Sequence, residues 1–193
     1  MENVLREALA MGADEAYMIS DEALTCGDPS VTAKALSQLA MRIGQFNIYL
    51  TGESSMDMLS RQVPPRLSVS LNVPIVTYVR ELEVNGDTAI AVRDLENYTE
   101  KVEVKLPALF SVTGEINQPR LPTLLQIRRA FMKPLKKLKL QDVTTESLKP
   151  NVNRVEVKLL KVVRKNVLVE GEDVDELADK LVENLLKEGV LKV

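Results

Sequence analysis

The chain has no histidine among its 193 residues and only one cysteine, Cys26. Without histidine there is no Ser–His or Cys–His nucleophile pair and no imidazole metal ligand. A single cysteine excludes an intramolecular disulfide and provides no metal cluster. Cys26 lies beside Gly27-Asp28 with no base in evidence, which marks it as a buried or neutral thiol rather than a nucleophile. No apolar run reaches the roughly 18 residues of a membrane-spanning helix, and nothing reads as a signal peptide, so the cytoplasm is the expected location. A formal net charge of -3 gives no electrostatic case for nucleic-acid binding. Walker and G-x-G-x-x-G patterns are both missing. No isolated pair of carboxylates or lysines sits in an apolar setting. Together these absences disfavour an enzyme with chemistry of its own.

The most informative stretch runs from Tyr49 to Leu67, YLTGESSMDMLSRQVPPRL. The apolar run Phe46 to Leu50 predicts a buried strand that stops at Thr51-Gly52. A polar loop follows, with Ser54, Ser55, Asp57, Ser60, Arg61 and Gln62. Val63-Pro-Pro then opens a helix, since proline is well tolerated in a first helical turn. A strand, a small-residue loop and a helix N-terminus form a natural anion cradle. Such loops lie at the carboxyl ends of strands, where α/β sheets bind ligands. An ordinary strand-to-helix connection is the competing reading.

The rest of the chain sets this loop in an α/β pattern. Residues 2–11 read as a helix stopped by Gly12, and Ala16 to Ile19 as a short strand. Asp28 is the N-cap of a second helix, with Pro29 at its first position, a stripe Val31, Ala35, Leu39 and Ile43, and Gly44 as its stop. A helix over roughly 63–71 and a strand from Pro74 to Val79 follow. Alternating strands and helices imply parallel strands with helices on the faces. The pattern then changes. Glu81 to Val84, Asn85-Gly86 and Thr88 to Arg93 form a hairpin with a strong turn signal. Thr99 to Lys105 alternates valines with charges, as a half-exposed strand does. Leu106 to Val112 returns to the main sheet. Lys136 to Lys139 and Thr144 to Asn153 read as linker, Arg154 to Leu160 as a strand, and Val174 to Leu186 as an amphipathic helix with Leu177, Leu181 and Leu185 on one face.

Two stretches carry a resemblance. The order Gly52, Ser54-Ser55, Asp57, Ser60-Arg61-Gln62-Val63, Pro65-Arg66-Leu67 resembles the adenine-nucleotide loop of the electron transfer flavoprotein beta subunit. That loop typically reads Gly-x-Gln-Ser-x-Asp-Gly-Asp-Thr-x-Gln-Val-Gly-Pro. Ser54 stands where a Gln is usual, Met58-Leu59 replace Gly-Asp, and Pro64 replaces a Gly. Gly114 to Ala130 is similar to that family's recognition loop, Leu-Asn-Glu-Pro-Arg-Tyr, with Ile116 in the place of its anchoring leucine and Asn117, Pro119 and Arg120 retained. Leu5 to Asp14 is very similar to the end of the family's second crossover helix. The family's first strand, first nucleotide-binding turn and flavin-reaching loop precede that point.

The resemblance implies an adenine nucleotide alpha hydrolase-like, Rossmann-like α/β fold. Its parts are a mostly parallel twisted sheet with flanking helices, an antiparallel β insertion at about 80–105, and a C-terminal arm. The expected division is a nucleotide-binding domain over 1–139 and an arm over 140–193 that packs on a partner subunit. It further implies an adenine nucleotide, AMP or the AMP half of a second FAD, held by Gly52, Ser54, Ser55, Asp57, Ser60, Arg61, Gln62 and Val63. An alpha subunit would share the redox FAD in a heterodimer. Acyl-CoA or other flavin dehydrogenases would dock through Ile116, Asn117, Pro119 and Arg120. The alternative is a stand-alone adenine-nucleotide-binding or regulatory module of the same fold without flavin.

Overall fold

Helix α1 (Glu2–Met11) opens the computed structural model, which describes residues 2–25, 27–152, 155–161 and 164–191. The elements that follow are β1 (Ala16–Ile19), α2 (Pro29–Ile43), β2 (Ile48–Gly52), α3 (Val63–Leu71) and β3 (Ile75–Asn85). Then come β4 (Thr88–Asp94), β5 (Thr99–Lys105), β6 (Ala108–Val112), α4 (Leu124–Ala130), β7 (Leu135–Leu138) and α5 (Val174–Lys187). The chain divides into two compact units, Met1–Arg154 and Val155–Val193.

In the first unit a five-stranded sheet has the order β2-β6-β3-β4-β5. Strands β2, β6 and β3 run parallel, while β4 pairs antiparallel with β3 around the Gly86-Asp87 turn, where Gly86 takes φ 62°, and β5 pairs antiparallel with β4. Gly is suited to that turn because φ > 0 carries no Cβ penalty there. The α/β class and the antiparallel insertion thus stand as the sequence pattern implies. Strand β6 is buried from Ala108 to Ser111, the continuous apolar run of a strand covered on both faces. Val76, Val79, Ala89, Ala91, Ala108 and Phe110 form the core on one face. On the other, Leu109 packs with Ala33 of α2 and Leu67 of α3.

The strand expected over Phe46 to Leu50 begins later, at Ile48, and is less buried than its composition suggests. Tyr49 packs toward α2 and α3, whereas Leu50 on the opposite face is 62% exposed. β2 is the edge strand of its sheet, so on that face Leu50 is flanked by side chains from β6 alone. The linker expected at Lys136 to Lys139 is also corrected. Leu135–Leu138 is a strand, β7, paired parallel with β1 in a separate two-stranded sheet. Its two lysines face outward while Leu135 packs against Leu9, Ala10, Ala16 and Ala130.

The first unit also continues past residue 139. Leu140 and Val143 are buried, Arg42 donates to the Asp142 carbonyl, Lys34 pairs with Glu146, and the Asn151 amide donates to Asp28. In the strand expected from Arg154 to Leu160, Arg154 lies outside the described residues and 155–160 carry no strand. The second unit is built around α5, where Asp173 accepts from the Glu176 amide as N-cap and Lys165 pairs with Glu188. None of the residues in α5 is buried. No helix of the described residues is long and apolar enough to cross a membrane.

Helices α1 and α4 are tied by exchanged cations. Arg6 Nη1 donates to the carbonyls of Ala130 (2.9 Å) and Lys133 (3.2 Å), at the end of α4. Lys133 Nζ returns the contact, donating to Leu9 O (3.0 Å) and Ala13 O (2.6 Å) at the end of α1. Arg120 adds two bonds to Met11 O, at 3.2 and 2.6 Å. The last carbonyls of a helix lack intrahelical donors and carry the negative end of its dipole, so cations satisfy them in both respects. Lys133→Met should therefore lower folding stability by about 1–2 kcal/mol in chemical denaturation. An unchanged midpoint would mean that water replaces the lysine without loss.

Candidate functional site

Two helix starts converge at the carboxyl end of the parallel strands. The α2 start, at Gly27, Pro29 and Thr32, faces the loop leaving β2. The α3 start at Val63 closes that loop. Between them is a cavity of about 530 Å³. All eight residues singled out for nucleotide binding line it: Gly52, Ser54, Ser55, Asp57, Ser60, Arg61, Gln62 and Val63. Gly27, Pro29, Thr32, Thr51 and Glu53 line it as well. A strand–helix–strand order read from the sequence was the signal for the α2 residues, since it places both helix starts at one end. For Glu53 there was no signal beyond its position next to Gly52.

The loop backbone is bent hard. Leu59 and Arg61 take φ 46° and 53°, in the left-handed region that costs a non-glycine residue roughly 1 kcal/mol or more. Tyr78, φ 59°, bulges from β3 between its pairings with β6 at Val76 and Val79. The Arg61 guanidinium lies 5.9 Å over the Tyr78 ring and its Nε donates to Glu53 Oε1 at 2.5 Å. The Glu53 hydrogen bond, and then Tyr78, hold the Arg61 pKa above its ordinary value.

Few amides face this cavity from α3. Pro64 and Pro65 have no N–H, so in the first turn only Val63 precedes Arg66, whose amide already donates to Gln62 O. The Gln62 side chain gives no cap; its Oε1 accepts from Arg66 at 3.0 and 3.2 Å. Thr51 Oγ1 is buried without a hydrogen-bond partner among the described residues. The site therefore offers hydroxyls, one orphaned threonine oxygen, one arginine held by Glu53, and the carboxylates Glu53 and Asp57, a set that suits a polar ligand rich in hydroxyl groups with an anionic group near Arg61. A second cavity of about 410 Å³ lies between α1 and α4. Its wall is mainly apolar, and Arg6, its only cation among the described lining residues, is already committed to carbonyls.

At the other loop, Ile116 is half-buried and packs against the sheet core around Val79 and Phe110. Asn117 and Pro119 are exposed, and the Arg120 guanidinium is occupied by Met11 O. Exposed apolar side chains follow at Leu121, Leu124, Leu125, Phe131 and Met132. Arg128 and Arg129 end α4.

Asp28 plays the structural part its position suggests. It is 5% exposed, and its Oδ1 accepts from the Ser30 amide (2.7 Å) and Ser30 Oγ (2.6 Å) while Oδ2 accepts from the Asn151 amide (2.6 Å). Those bonds, led by the Ser30 hydroxyl, lower its pKa to about 2.

The electron transfer flavoprotein domain family matches residues 1–143. The electron transfer flavoprotein subunit beta of Thermoanaerobacterium thermosaccharolyticum is 41% identical over 157 residues, 81% of this chain and 58% of that protein. The subunit beta of Bacillus subtilis is 34% identical over 189 residues, 97% of this chain and 73% of that protein. The caffeyl-CoA reductase-Etf complex subunit CarD of Acetobacterium woodii is 30% identical, covering 97% of this chain and 74% of its own. Fold and family match together define the class, an α/β domain of electron transfer flavoproteins. Within that class, the chain belongs to the beta-subunit family. It spans between about three fifths and three quarters of the length of these relatives.

The depressed Asp28 pKa fixes a pH dependence. A carboxylate with a lowered folded-state pKa stabilises fully above its unfolded value near 3.8, and the stabilisation is lost as pH falls toward about 2. Asp28→Ala should cost about 1–2 kcal/mol at neutral pH, as loss of a helix cap does. The gap between wild type and variant should close between pH 4 and pH 2. A gap that persists at the acid end would assign the loss to packing.

Proposed function

We propose that this chain is an electron transfer flavoprotein beta subunit that binds an adenine nucleotide in the cavity beside Arg61, either AMP or the AMP half of a second FAD. The observation that carries the reading is the convergence of the eight loop residues on one cavity at the strands' carboxyl ends. Thr51 Oγ1, orphaned and buried, fits a ligand acceptor or donor that would satisfy it. Bound flavin supplies the electron chemistry. In this reading the chain's residues hold and position: Arg61 meets phosphate with a fork of donors, and the loop hydroxyls meet ribose or phosphate.

An alpha subunit sharing the redox FAD is the proposed partner, with the region 140–193 contributing to that contact. α5 is consistent with this role, since none of its residues is buried within the described structure. Flavin dehydrogenases are the proposed donors, docking at Ile116, Asn117, Pro119 and Arg120. In this arrangement Arg120 stiffens the loop through Met11 O and Ile116 roots it on the sheet, leaving Asn117 and Pro119 outermost. The exposed apolar side chains from Leu121 to Met132 favour docking over a module that works alone.

The direct test is co-expression with an alpha subunit, followed by purification. A flavin-coloured complex, with the beta chain's melting temperature raised by AMP, is the expected result, because a ligand that binds only the native state stabilises it. Absence of both would remove the reading. Docking has its own test. Ile116→Ala should cost roughly 1–3 kcal/mol of stability, since the side chain is half-buried on the core. Leu121→Asp, at a 91% exposed position, should leave stability unchanged yet slow donor-to-flavin electron transfer in the reconstituted complex. Unaltered transfer in both variants would exclude this loop.

A further inference from the structure

We infer that Glu53 is a built-in competitor for the ligand's anionic group, so that the charge of the nucleotide, more than its base, sets how tightly the cavity holds it. The inference rests on the nucleotide-binding reading of that cavity and concerns a residue outside the set that the loop resemblance supplies. Arg61 is the only cation among the described residues lining the cavity, against two carboxylates, Glu53 and Asp57. The α3 start cannot make up the difference, because Pro64 and Pro65 remove two of the amides that a helix N-terminus normally offers an anion. Arg61 is therefore the one cation of the described lining that can meet an incoming phosphate, beside the neutral donors of the loop and the α2 start.

Arg61 is already engaged. Its Nε donates to Glu53 Oε1 at 2.5 Å, and its guanidinium is steadied over the Tyr78 ring. Glu53 is the less exposed partner, its side chain at 29% against 54% for Arg61. The carboxylate takes up the Arg61 Nε donor, which a phosphate oxygen could otherwise accept from, and it carries the same sign of charge as a phosphate. A phosphate reaching Arg61 must displace Glu53 or lie against it, and each added phosphate charge raises the repulsion. A ligand without phosphate meets no such barrier. Glu53 is thus a specificity-determining residue that favours nucleotides with little phosphate charge at this point and disfavours dense polyphosphates.

Removing the carboxylate charge tests this. The probes are adenosine, AMP and ATP, titrated calorimetrically into the full-length chain as wild type, Glu53→Gln, Glu53→Ala and Arg61→Ala. Ligand-free melts of each variant check folding, since Glu53 is half-buried and Arg61 exposed on the loop. The expected result is that both Glu53 variants bind AMP about tenfold or more tightly than wild type, a change of about 1.4 kcal/mol, and gain more for ATP. Adenosine binding should stay the same, and Arg61→Ala should abolish the gain when combined with Glu53→Gln. If wild type binds AMP and the Glu53 variants bind it no better, the competition is overturned while the nucleotide site stands. If all three ligands gain equally, Glu53 acts on loop shape rather than charge, which also overturns it. If neither wild type nor the Glu53 variants bind any of the three, the nucleotide reading fails and this inference with it.

Discussion

The parallel pairing of β2 with β6, and of β6 with β3, is the constraint from which the rest of the structure follows. Its register sets Gly52 opposite Val112, and Val112 opposite Val79. Strands β2 and β6 therefore end at one level, with β3 passing alongside. The loop leaving β2 forms the candidate cavity, and the loop leaving β6 is the one proposed to dock partners. Ser111 Oγ donates to Gly52 O, and the Thr113 amide to Val79 O, so these exits are also stitched laterally. A slip of one residue in this ladder would move Leu109 off the helix face and Phe110 off the opposite core, since side chains alternate along a strand.

From that pairing the polar chemistry is arranged with few groups. Asp28 caps α2 at the cavity's edge and also holds residue 151, so the start of that helix is fixed from two directions. Arg6, Lys133 and Arg120 act on helix ends rather than on a ligand. Arg61 alone of the cavity's described lining is a cation, and it sits on a backbone bent into the left-handed region. Strain of this kind persists where surrounding contacts enforce it, here the Glu53 bond and the Tyr78 ring.

Much of this was legible in the sequence because the signals were local. Asp28-Pro29 and Gly44 bracket α2 at its observed ends, Asn85-Gly86 sits at the turn between β3 and β4, and Val63 opens α3. The loop residues of the candidate cavity are contiguous, so their convergence needed only one correct strand and one correct helix. What the sequence hid depends on contacts far along the chain. Leu135-Lys-Lys-Leu138 looks like linker until β1, more than a hundred residues earlier, is placed beside it. Leu50 looks buried until β2 proves to be the edge. Arg120 reads as a docking residue until the Met11 carbonyl proves to engage it, and the bonds of Lys133 to Leu9 and Ala13 likewise span more than a hundred residues. The Glu53–Arg61 pair spans only eight residues, yet it forms through positive φ angles that no pattern of residue types announces at Leu59 and Arg61.

Amide hydrogen exchange of the purified chain, with and without saturating AMP, is the most direct measure of whether the carboxyl-end cavity is a nucleotide site. Protection should rise in two separate stretches, residues 51–63 and the α2 start at 27–32, and stay unchanged in α4 and α5. Protection that appears between α1 and α4 instead, or nowhere in the chain, would contradict a ligand site built on the β2 exit.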